Sequence, residues 1–126
     1  MTIPEEIEMA VSYFNENYNT KISVAQYAES LHISTNWFIR NFKQYMKISP
    51  AQYILSLRMV NAQSLLENTD YSVGEIAEIV GYDNQLYFSR VFKKEYGISP
   101  AQYRKRAENQ SAAPMESDVG EITRED

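Results

Sequence analysis

The 126-residue chain has no cysteine, a single histidine and a net charge of −5. Disulfide scaffolds and thiolate metal sites are therefore excluded, and no apolar run approaches membrane-spanning length. The acidic total conceals an uneven distribution. Residues 1–106 hold eleven Lys/Arg and eleven Asp/Glu, whereas residues 107–126 hold one Arg and six acids. That last segment, rich in Ser, Ala, Glu and Asp, is expected to be a disordered acidic tail.

Taken in chain order, helical periodicity and start signals predict seven helices, at about 4–18, 23–31, 34–46, 49–68, 72–80, 84–96 and 99–106. No stretch alternates as a strand does, so the fold class is all-α. The first helix opens on Glu5, Glu6 and Glu8, acids that suit the positive end of the helix dipole. The second opens Ile22-Ser23-Val24-Ala25-Gln26-Tyr27, with Ser23 as the cap, Gln26 three residues on, and Ile22 and Tyr27 as a hydrophobic staple. His32, at its end, is expected to cap the helix rather than act in chemistry.

In the third helix Phe38, Phe42 and Met46 form an apolar stripe with Tyr45 beside it. Asn36, Ile39, Arg40 and Lys43 fall on the other side, and this helix with its exit at Lys47 contains no acid. The fourth opens with the same capping grammar, Ile48-Ser49-Pro50-Ala51-Gln52-Tyr53, with Pro at the first helical position. It continues with Ile54, Leu55, Leu57, Met59, Val60, Ala62, Leu65 and Leu66, apolar on more than one side. A helix of that kind is buried.

The remaining three helices repeat the earlier ones. Ile98-Ser99-Pro100-Ala101-Gln102-Tyr103 restates 48–53 without change, and Phe88-Ser89-Arg90-Val91-Phe92-Lys93 parallels Phe38-Ile39-Arg40-Asn41-Phe42-Lys43. Upstream, Ser72, Val73 and Ala77 answer Ser23, Val24 and Ala28 at an offset of 49 rather than 50. The second copy therefore has one extra residue, within Asp83 to Leu86. A duplicated building block is a strong constraint on fold.

Each copy joins a short helix to a longer one across a brief turn, the helix-turn-helix arrangement. We therefore expect two such subdomains, at about 4–47 and 70–106, joined by a long central helix at about 49–68. The outward residues are suited to duplex DNA. Arg grips guanine with two hydrogen bonds, Asn or Gln does so with adenine, and aliphatic carbon meets the thymine methyl. The base-reading candidates are Asn36, Ile39 and Arg40 in the first copy and Gln85, Leu86 and Arg90 in the second. The phosphate candidates are Thr35, Lys43, Lys47, Asn84, Ser89, Lys93 and Lys94. A twenty-residue helix is about 30 Å long, and successive major grooves on one face of DNA lie about 34 Å apart. Two recognition helices on such a rod would reach neighbouring grooves in a monomer.

Residues 4–106 resemble the DNA-binding domain of the AraC/XylS family of bacterial transcription regulators. The resemblance is carried by Arg58, Ala62, Leu65 and Leu66, then by Ser72-Val73, Glu75-Ile76-Ala77 and Gly81-Tyr82. It continues through Tyr87-Phe88-Ser89-Arg90, Phe92-Lys93-Lys94, Gly97, Ser99-Pro100 and Tyr103-Arg104. It implies sequence-specific binding of promoter DNA, RNA polymerase as a further partner, and usually activation in the cytoplasm. An effector ligand is implied only where a further domain exists. Lys47 and His32 stand where the family commonly has Gly, so left-handed backbone is expected there at some strain. No enzyme motif, cofactor or metal set is present: there is no HExxH pattern and no Gly-rich phosphate loop. The rival reading is a helical protein-interaction module that does not bind DNA.

Overall fold

The computed structural model describes residues 3–117, and side chains as far as Gln110. Seven helices and no strand occur among the described residues: α1 (Glu5–Asn17), α2 (Val24–Ser30), α3 (Thr35–Met46), α4 (Pro50–Asn68), α5 (Val73–Ile79), α6 (Gln85–Tyr96) and α7 (Pro100–Ser117). The expected elements are all present. The last one runs further than predicted: the backbone of residues 107–117 is helical where a disordered tail was expected. Ala, Glu and Gln at 107–110 are good helix formers and carry on the turn begun at Pro100. The rest of that predicted tail, residues 118–126, lies outside the described residues.

Local chemistry sets the starts. Ser23, Ser49 and Ser99 accept hydrogen bonds from the amides of Gln26, Gln52 and Gln102, at 3.2, 3.1 and 3.1 Å. At α7 the Gln102 Oε1 also accepts from the Ser99 amide at 2.9 Å, completing a reciprocal box. Ser72 and Glu75 make the same box before α5. Pro50 and Pro100 are buried at the first position of their helices, where no donor is required.

The chain divides into two units, residues 1–62 with 79–81, and residues 63–78 with 82–126. The boundary falls inside α4, so this helix is not a free spacer. In the first unit Ile7, Ala10 and Phe14 of α1 pack with Ala28, Phe38, Phe42 and Ile54, while Tyr27, Trp37, Tyr53 and Leu57 close around them. Phe14 lies at the centre of the aromatic cluster, its ring centroid 5.6–6.4 Å from Tyr27, Phe38, Phe42 and Tyr53. In the second unit Phe88 and Phe92 are buried, with rings 6.0 Å apart, and Phe92 meets Tyr103 edge-on at 5.6 Å.

The duplication reaches further than the sequence disclosed. Met59, Ala62 and Leu66 of α4 are buried at the same spacing as Ile7, Ala10 and Phe14 of α1. Tyr53 donates to Asn15 Oδ1, one residue past Phe14, and Tyr103 donates to Glu67, one residue past Leu66. Each unit thus has four helices, with α4 last in one and first in the other. Ile54 and the later trio lie on different sides of α4, because successive residues turn by about 100°. That is why α4 reads as apolar nearly all round. Val60 departs from the expectation: it lies opposite Ala62 and is exposed.

Two arginines tie the units internally. The Arg58 guanidinium donates to the Tyr18 and Thr20 carbonyls, just past α1, at 2.7 and 2.8 Å. Arg104 does likewise at the end of α4, donating to the Leu66 and Thr69 carbonyls at 3.1 Å each. Both satisfy carbonyls that a helix end leaves without intrahelical partners.

Candidate nucleic-acid interface

In each unit the turn between the paired helices decides where the second helix points. After α2, the Ile33 amide donates to the Ala28 carbonyl and the His32 amide to the Glu29 carbonyl, a left-handed exit with His32 at φ +60°. After α5, the Tyr82 amide makes the same bond to Ala77, and Gly81 takes the left-handed place at φ +106°. His32 therefore acts through its backbone. The next residue in the first unit is the Ser34 cap. In the second, Asp83 comes between Tyr82 and the Asn84 cap, so Asp83 is the inserted residue, inside the expected range.

Ser34 accepts from the Trp37 amide at 3.0 Å and Asn84 Oδ1 from the Tyr87 amide at 2.9 Å. These caps start α3 and α6 at equivalent places. Both helices also end alike: Lys47 at φ +73° donates its amide to Lys43, and Gly97 at φ +84° donates to Lys93. Left-handed backbone costs an L-residue about 1–2 kcal/mol. The second copy of the repeat meets that need with Gly81 and Gly97, and the first meets it with His32 and Lys47.

With Phe38 and Phe42 buried, the opposite side of α3 is open. Asn36, Ile39, Arg40, Lys43 and Lys47 are all exposed, as predicted, and Ile39 presents 39% of its surface. Thr35 is half-buried. On α6, Gln85, Leu86, Arg90, Lys93 and Lys94 are exposed, Leu86 to 60%, while Ser89 is half-buried. Asn84 is exposed too, but its side-chain oxygen is committed to the cap, leaving only its amide donors for a ligand.

Each helix therefore carries a basic, partly aliphatic stripe, with Arg40 and Arg90 at matching positions. Arg58 and Arg104, by contrast, serve the fold. Sequence reasoning passed over two further exposed residues beside these stripes. Gln44 is exposed and stands at the place of Lys94. Tyr87 is 58% exposed and rests against Tyr82 at 5.8 Å, whereas its counterpart Trp37 is half-buried. Aligning the two copies position by position would have found both.

Among the described residues no helix is long and apolar enough to cross a membrane, and no group of His, Asp or Glu is placed to hold a metal. Two capped helix pairs, each with its second helix showing a cationic face, define a protein of the double helix-turn-helix class. A family model described as a helix-turn-helix domain matches residues 27–106. The raffinose operon regulatory protein of Pediococcus pentosaceus is 36% identical over 101 residues, covering 80% of this chain and 36% of that protein. Among solved structures, the C-terminal domain of AraT, a response regulator from Geobacillus stearothermophilus, superposes with a TM-score of 0.80 at 36% identity. That match covers 84% of this chain and 88% of the other. The DNA-binding domain of AdpA, solved in complex with a target DNA, gives the same TM-score at 27% identity, over 87% and 99%. This chain belongs to the AraC/XylS family of transcription regulators, and it corresponds to their DNA-binding domain rather than to an enzyme. It spans about a third of the length of the curated relatives it matches (33%, 36% and 32% for three of them).

Proposed function

We propose that this domain reads a promoter through two major-groove contacts, one by α3 and one by α6, and so regulates transcription. The observation that carries the reading is the equivalence of the two exposed stripes, each with an arginine at the same register and lysines toward the helix end. Arg40 and Arg90, with Asn36, Ile39, Gln85 and Leu86, meet base edges. Lys43, Lys47, Lys93 and Lys94 meet phosphates, aided by Thr35, Asn84 and Ser89. Phosphate contacts fix register and base contacts fix sequence.

In the same proposal the domain binds as a monomer, works in the cytoplasm where the chromosome lies, and activates by bringing in RNA polymerase. An effector acts only through a further domain of a longer protein. Selection of bound duplexes from a randomised pool tests the central claim. Two short preferred boxes about one helical turn apart are expected, together with a steep loss of affinity as salt rises. A single box, or binding indifferent to both sequence and salt, overturns it.

A further inference from the structure

Gly74 is a residue the recognition surface does not account for. It lies in the first turn of α5, where the first unit has Ala25, and glycine within a helix is unfavourable relative to alanine. Its φ lies outside the left-handed region, so no backbone geometry demands it. The surroundings give the reason. A Cβ built on Gly74 falls 2.8 Å from Gln85 Oε1 and 3.6 Å from Gln85 Cδ, with Ser72 Oγ next at 3.9 Å. The amide of Gln85, the first residue of α6, therefore lies back over the start of α5, in space that a single methyl group would fill.

The two copies differ here in a correlated way. The first has the larger residue on the shorter helix and a short side chain opposite, Ala25 with Thr35. The second has Gly74 with Gln85. Small with long and larger with short is the pattern expected of two positions sharing one volume.

We infer that Gly74 is a positioning residue for base recognition: by leaving this space open it sets the side-chain conformation in which Gln85 presents its amide to DNA. The inference rests on the proposed role of Gln85 as a base reader. The atom Gly74 faces is the far end of a flexible side chain, so an added methyl group displaces Gln85 without disturbing the backbone. Pushed off α5, the amide leaves the geometry required for two simultaneous hydrogen bonds to adenine.

The test compares Gly74→Ala, Gln85→Ala and the double variant of this domain, using duplexes selected from a randomised pool and the four possible base pairs at every position of the selected site. Gly74→Ala is expected to retain the helical circular dichroism and to melt at or slightly above the parent temperature. It should lose about fivefold or more of the discrimination at one base pair. Gln85→Ala should lose discrimination at that same base pair, and the double variant should lose no more than Gln85→Ala alone. If Gln85→Ala changes the preference and Gly74→Ala does not, the positioning role is overturned while the reading of Gln85 stands. If Gly74→Ala weakens all sequences equally, the role is likewise overturned. If Gln85→Ala leaves every preference unchanged, Gln85 is not a base reader and both statements fall.

Discussion

Gly81→Ala and Gly97→Ala make a matched pair, since both glycines have left-handed backbone but only one is crowded. At Gly97 nothing lies within 4 Å of an added Cβ, so the cost is conformational, about 1–2 kcal/mol. At Gly81 an added Cβ falls 3.0 Å from the backbone Cα and C of Asn19 and 3.1 Å from Arg58 Cζ. Neither neighbour yields easily. Asn19 offers backbone, and Arg58 is fixed by its bonds to Tyr18 and Thr20. Overpacking of this kind adds about 1–3 kcal/mol. Gly81→Ala should therefore lose about 2–5 kcal/mol, against about 1–2 for Gly97→Ala. That is a large part of the roughly 5–15 kcal/mol by which domains are stable. Urea unfolding followed by far-ultraviolet circular dichroism measures both. A loss at Gly97 equal to or larger than that at Gly81 refutes the crowding argument.

Replacing Lys47 by Gly should stabilise the protein by about 0.5–1 kcal/mol in the same assay, because the left-handed strain is relieved. DNA affinity should meanwhile fall evenly across sequences, and the slope of log affinity against log salt should shrink by about 1. Arg90→Ala should cost about 1–3 kcal/mol on a selected site and relax preference at one base pair in competition binding; equal loss on every sequence would demote Arg90 to a phosphate contact. Burial first, then the hydrogen bond to Glu67, push the Tyr103 phenol up to about 12 from 10.0. Its stabilising contribution is therefore complete below pH 10 and fades as the pH climbs from 10 to 12, where the unfolded chain ionises and the folded one does not. Urea midpoints over that range should fall for the parent and fall less for Tyr103→Phe.

What the sequence disclosed was mostly what depends on near neighbours. The serine caps at 23, 49, 72 and 99 and the aromatic stripes of α3 and α6 are decided within a turn or two of helix, and periodicity and spacing carry them. His32 and Lys47 were legible because they stand where the family commonly has Gly. The internal division of α4 was not legible, because it depends on which carbonyls and rings Tyr53, Arg58, Tyr103 and Arg104 reach some 35 to 40 positions away. The end of α7 was misjudged from composition alone. Gly74 was missed because its neighbour Gln85 belongs to another helix.

One practical result concerns where such a protein can be cut and recombined. A second half begun in the loop near residue 70 would lack Glu67 for Tyr103 and the Leu66 and Thr69 carbonyls for Arg104. Met59, Ala62 and Leu66 of α4 are buried as well, so the second half begins within this helix rather than after it. A separate second half that starts within α4, ahead of Met59, should fold with its reading helix intact, and one that starts at the loop should not.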